Sequence, residues 1–149
     1  MNERDLEFVK QHQSAAMTTV RADGSPHTVR VGVAVIDGKV WSSGTQTRVR
    51  TKHLRRDPRA TLFVFDPDPA MSWRFLTLEA TVRILDGPDA PELNLRLFQQ
   101  MQAGLPTPPR PGYVQWFGAE KTVDVFLQTM RDEGRLIYEF DVRKTYGLY

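Results

Sequence analysis

Thr47 to Arg59 carries the densest positive charge in the chain: Arg48, Arg50, Lys52, Arg55, Arg56 and Arg59 stand there against the single Asp57. The segment follows a strand-like run, Lys39 to Ser43, and a turn containing Gly44, so it reads as a helix starting just after a strand. A helix start leaves backbone N–H groups without intrahelical partners and carries the positive end of the helix dipole. Arg48, Arg50 and Thr51 in that first turn make a candidate phosphate socket, because guanidinium groups clasp phosphate oxygens through paired N–H donors. Arg55, Arg56 and Arg59 read instead as a solvated face, with Asp57-Pro58 ending the helix.

Other chemistry-bearing residues are sparse. The chain has no Cys, which excludes disulfides, thiolate nucleophiles and cysteine metal sites and fits a reducing cytoplasm. His12, His27 and His53 are scattered without metal-ligand spacing, and no nucleophile–base pair or paired carboxylates stand out. Trp41, in a short strand beside Val40, reads as core or barrel-end packing. Trp116 and Phe117 follow a proline loop and read as aromatics that dock a helix, ahead of a role at a substrate mouth.

The elements that must position these residues follow from periodicity. Asn2 to Gln13 sets Leu6, Phe8 and Val9 among charges, a short amphipathic helix, and leaves no apolar stretch for a signal peptide. Ala15 to Val20 is strand-like, and Arg21 to Pro26 is turn chemistry. His27 to Ile36 alternates with Val29, Val31, Val33 and Val35 on one face, and Asp37-Gly38 is a strong hairpin signal into Lys39 to Ser43. Ala60 to Phe65 and Arg74 to Leu85 give two more strands around the loop Asp66-Pro67-Asp68-Pro69-Ala70. Pro91 to Ala103 and Ala119 to Met130 have helical spacing, separated by the proline-rich loop Gly104 to Gly112; Arg135 to Val142 is a last strand. Short antiparallel strands with hairpin turns predict a barrel or sandwich.

Composition fits one domain over 1–149 with a helical insertion at about 87–131. The length of 149 residues suffices for a single core, and 40% hydrophobic with 26% charged residues is ordinary for a soluble fold. No apolar run is long enough to span a bilayer, so no membrane partner is expected. The net charge is only +2, so the basicity is local, which argues against a general nucleic-acid binder.

The order of Met17-Thr18-Thr19, Asp23-Gly24-Ser25-Pro26-His27, the run Arg48 to Arg59 and the ending Val142-Arg143-Lys144-Thr145-Tyr146-Gly147 resembles the split-barrel flavin and deazaflavin reductases. That superfamily includes pyridoxamine 5′-phosphate oxidase, and the resemblance is nearest to the actinobacterial proteins that use coenzyme F420. It covers nearly the whole chain. It implies a mainly β fold, a six-stranded antiparallel split β-barrel with peripheral helices, and a homodimer with cofactor sites shared between subunits. The cofactor phosphate would sit at Ser43, Arg48, Arg50 and Thr51, and the ring against the strand from His27 to Val31, with His27, Thr28 and Arg30. The partner's Met71–Phe75 stretch, including Trp73, would close the groove; Trp73 reads equally as an interface aromatic.

Two positions depart from the family's pattern: Arg50 where most relatives have Lys, and His53 where they have Asn. Arg at position 50 keeps the charge and adds a two-pronged donor. The C-terminus lacks the Arg-x-His type substrate motif of pyridoxamine phosphate oxidase itself. The resemblance therefore implies hydride transfer from reduced F420 to a small unsaturated or conjugated acceptor, with no side chain nominated as acid. An FMN-dependent enzyme of the same fold, a non-catalytic F420-binding protein and, least favoured, a small nucleic-acid-binding barrel remain as alternatives.

Overall fold

The computed structural model describes residues 1–149. The chain opens with helix α1 (Glu3–Gln11), whose start is fixed by a capping box: the Asn2 side chain accepts from the Asp5 amide at 2.8 Å, and the Asn2 amide donates to the Asp5 carboxylate at 3.1 Å. Phe8 and Val9 turn inward from it. Strands β1 (Ser14–Val20), β2 (Pro26–Gly32), β3 (Ala34–Ile36) and β4 (Lys39–Thr45) follow. Helix α2 (Val49–Arg56) then leads to β5 (Arg59–Phe65) and β6 (Phe75–Leu85). Helix α3 (Ala90–Ala103), hairpin strands β7 (Tyr113–Trp116) and β8 (Ala119–Thr122), helix α4 (Val123–Asp132) and strand β9 (Arg135–Leu148) complete it. No helix is long and apolar enough to cross a membrane.

The main sheet is antiparallel with seven strands, in the order β2-β1-β5-β6-β9-β4-β3. Six had been expected. The run from His27 to Ile36 does not make one strand: it breaks at Gly32-Val33, where β2 ends and β3 leaves for the opposite edge of the sheet. Two consecutive strands at opposite edges require the sheet to curl until those edges approach. They meet at β2 and β4, where the Ser42 hydroxyl donates to the Gly32 carbonyl at 2.7 Å. This half-closed sheet is a split barrel.

Inside it, the alternate residues Met17, Leu62, Leu76, Leu78 and Phe140 are fully buried. A second cluster sets Leu97 of α3 against Ala34, Ile36, Trp41 and Ile137 on the outside of the sheet, so Trp41 is a packing residue there. Its indole N–H also donates to Glu139 at 2.9 Å. The third cluster, Val114, Phe126 and Met130, belongs to the insertion alone. There the expected helix from Ala119 is shorter at its start. Ala119 to Thr122 pairs with Tyr113 to Trp116, and α4 begins only after Thr122 caps the Val125 amide. Strand β9 runs six residues past the expected Val142, pairing with β6 through a bulge at Glu79/Ala80.

Candidate functional site

Helix α2 starts at the end of β4 and has no side-chain cap, because its N-cap residue, Arg48, has no acceptor to offer the first-turn amides. The strand-to-helix turn is held from below by Thr51. Its hydroxyl donates to the Thr45 carbonyl at 2.6 Å and shares a hydrogen bond with the Tyr138 hydroxyl. Thr51 is fully buried and contributes no surface to the cavity above it.

That cavity, about 490 Å³, opens between β2, β4, α2 and the insertion. Its polar end is formed by Ser43, Arg48 and Arg50, with Arg30 from β2 and Arg135 from the start of β9. No carboxylate lines it. Arg50 is partly buried among these groups. One Nη donates to the Ser43 carbonyl at 3.2 Å, the guanidinium lies over the Tyr138 ring at 5.6 Å, and Nε is buried with no partner. Burial pushes its pKa down from the ordinary arginine value. A half-buried guanidinium with an unmatched donor, next to two further arginines, fits an anionic ligand group. The Ser43 hydroxyl, by contrast, donates to Asn94 of α3 at 2.6 Å, and Asn94 is itself buried and tied to the Ala90 carbonyl.

The expected residues therefore separate. Ser43, Arg30, Arg48 and Arg50 gather at one cavity, while Thr51 supports it from beneath. Thr28 shares Arg30's face of β2 but lies two residues along the strand, bonded to Thr18 at 2.8 Å. His27 faces the other way. Its ring meets His53 edge-on at 5.1 Å, and its Nδ1 is buried without a partner. Trp73 sits exposed in the loop between β5 and β6, away from the cavity lining. Arg55, Arg56 and Arg59 take local partners in Asp86, the Val20 carbonyl and Asp57. Of the other half of the cavity, sequence reasoning offered only Trp116 and Phe117, with a mouth role placed behind helix docking, and missed Leu97, Phe98 and Met101. Leu97, Phe98, Met101, Trp116 and Phe117 of the insertion join Val31 of β2 as its apolar lining, so Trp116 and Phe117 line the cavity as well as packing on neighbours.

His53 gives the site's surroundings a pH dependence. Its Nδ1 is hydrogen-bonded to the buried Thr19 hydroxyl at 2.9 Å. Burial, then the neighbouring His27, Arg56 and Arg21, push its pKa below the ordinary imidazole value. Burial lowers His12 as well, with Asp66 opposing and Arg74 assisting. Folded-state values below the unfolded one mean that the unfolded chain takes up protons first. Stability should be complete above about pH 6.5 and fall as acidification proceeds through the folded values. Urea midpoints measured from pH 7.5 down to pH 5.5 should drop. His53→Asn should flatten the slope in part, His12 supplying the remainder.

A family model, pyridoxamine 5′-phosphate oxidase, matches residues 1–146. The chain belongs to that family. Membership places it among split-barrel oxidoreductases whose fold takes a flavin-type cofactor. Solved structures share the fold at low identity. The conserved hypothetical protein Rv2991 from Mycobacterium tuberculosis is 23% identical with a TM-score of 0.76, covering 99% of this chain and 84% of that one. An F420 reductase is 18% identical with a TM-score of 0.65, covering 94% of each chain. HutZ, the heme storage protein from Vibrio cholerae, is 14% identical with a TM-score of 0.66, covering 97% and 93%. A search of curated proteins gave no match.

Proposed function

We propose that this member is an F420-dependent reductase that delivers a hydride to a small unsaturated or conjugated acceptor. The observation that carries the reading is Arg50: half-buried, with one unmatched donor, at the end of a cavity lined by three further arginines and no acid. Arg48, Arg50 and the uncapped amides of α2 would hold the cofactor phosphate, and the face of β2 bearing Thr28 and Arg30 would lie along its ring. Arg30, Arg48 and Arg50, none paired with a carboxylate, exceed what one phosphate needs, which favours a cofactor with a further acidic tail over FMN. The F420 reductase of the same fold supports the same choice. When bound, the deazaflavin supplies the hydride; the protein's part is to hold, aim and screen it.

The functional unit in this reading is a homodimer. Phe63, Phe65 and Phe75 stack at 5.2 to 6.1 Å on the outward side of the barrel, with Tyr146 and Leu148 exposed beside them on β9. A contiguous apolar patch of this kind marks a protein contact. Against it, a partner's loop carrying Trp73 would complete the cofactor groove.

Titrating the purified protein with F420 and with FMN, following ring fluorescence, tests the cofactor, and sedimentation of the same sample tests the dimer. F420 should bind at least tenfold tighter than FMN, to a particle of two chains. Tight FMN binding with none of F420 would move the protein to the FMN-dependent alternative. F420 binding with no turnover on any conjugated acceptor would make it a storage or sensing protein.

A further inference from the structure

Apart from Val31 of β2, the apolar lining of the cavity comes from the insertion, and by a device that costs the fold something. Strands β7 and β8 are joined by Phe117-Gly118, a two-residue turn in which both residues have positive φ, +49° and +76°. Such a turn favours Asn or Asp followed by Gly; a bulky aromatic in the left-handed region is rare and strained. The chain nevertheless places Phe117 there, 85% exposed. Its only ring neighbour is Trp116, edge-on at 4.9 Å. Trp116 in turn meets Phe98 at 5.1 Å, with Leu97 and Met101 of α3 alongside in the lining.

This wall is held rigidly. The Gln102 side chain donates to the Gln115 carbonyl at 2.8 Å and accepts from the Gln115 amide at 2.9 Å, clamping α3 to β7. The Arg135 guanidinium packs over the Trp116 ring at 4.9 Å and is paired with Glu133 at 2.8 Å. The aromatic surface is thus bordered by arginines, with no carboxylate facing the cavity. Aromatic rings at right angles offer edges and faces that match a flat ligand better than a branched aliphatic one. The arginines repel a cation.

We propose that Phe98, Trp116 and Phe117 form the acceptor subsite, and that it selects flat conjugated molecules carrying negative charge or none. Its role as an acceptor subsite rests on the proposed function. Its preference for flat anions does not, and can be measured without cofactor. Calorimetric titration of the full chain with 2-naphthoate, cyclohexanecarboxylate and 2-naphthylmethylammonium separates planarity from charge. Naphthoate should bind at least tenfold tighter than the other two. Phe117→Asn, which suits the left-handed backbone, should weaken naphthoate roughly fivefold to tenfold. Its Tm should nonetheless hold at or above that of the parent chain, because relief of the turn offsets the lost Trp116 contact.

Equal binding of the three probes, or unchanged naphthoate affinity in Phe117→Asn, would overturn the subsite. A change in the number of subunits in Phe117→Asn would make Phe117 an interface residue and overturn it too. Naphthoate selectivity in a protein that binds neither F420 nor FMN would sink the proposed function and leave the subsite standing.

Discussion

Arg50→Ala should weaken F420 binding by roughly a hundredfold, the largest loss expected from any single side chain at the cavity. The guanidinium is held by the Ser43 carbonyl and the Tyr138 ring, so its donors are presented without a further ordering cost when an anion arrives. Removing it deletes a charge and a two-pronged contact together. Arg50→Lys should recover part of the loss, because the charge returns as a point and the fork does not. The stability of the ligand-free protein should respond in the opposite sense. A half-buried guanidinium with an unmatched Nε is unfavourable to the fold, so Arg50→Met should stabilise it by about 1 kcal/mol. Fluorescence titration reads the first effect and urea unfolding the second. Loss of stability in Arg50→Met with unchanged F420 affinity would show that Arg50 is a structural residue.

How much of this was legible in the chain depends on where local chemistry and tertiary demand agree. At Asp37-Gly38 they agree: φ values of +49° and +75° give the turn that this pair favours, and the hairpin from Ile36 to Lys39 was readable. At Phe117-Gly118 the same backbone carries Phe, which has no left-handed preference, so the turn gives no hairpin signal and β8 reads as the start of a helix. The helical spacing of Val123, Phe126, Leu127 and Met130 was real, but it began after Thr122. The break at Gly32-Val33 was hidden because Val31 and Val33 are both buried, as a continuous strand would have them. Only the need to reach the other sheet edge separates them.

The basic run was readable as a helix start after a strand, since charge, turn and periodicity coincide there. What its residues do divided on burial. Arg48 and Arg50 reach the cavity, whereas Thr51, one position on, rotates beneath it to tie Thr45 and Tyr138. His27 and Thr28 divide in the same way by strand alternation: neighbours in sequence, they face opposite sides of β2. For the aromatic end of the cavity, Trp116 and Phe117 could be offered as mouth residues but not their joining to Phe98, which comes only through the packing of α3 on the hairpin.

Gly44→Ala should destabilise the fold by about 3 kcal/mol, although alanine is ordinarily the better residue inside a strand. The reason is Tyr138. It sits opposite Ser42 in the β4–β9 pairing and is fully buried, and its ring crosses the position where a residue-44 side chain would begin. A Cβ there would lie 2.2 Å from the Tyr138 hydroxyl oxygen and 2.3 Å from the ring carbon bearing it. A tyrosine packed on all sides cannot swing away, so β4, β9 or the ring itself must shift. The urea midpoint should fall accordingly, with Tm down by roughly 6–12 °C. In a Tyr138→Leu background the same substitution should cost less than about 1 kcal/mol, an interaction energy near 2 kcal/mol. Equal costs in the two backgrounds would exonerate Tyr138. The contact also reaches the cavity. Tyr138 supports both the Thr51 hydroxyl and the Arg50 guanidinium, so moving its ring disturbs the floor on which the arginines stand. Gly44→Ala protein that remains folded at low temperature should therefore bind F420 more weakly, with no cavity-lining residue changed.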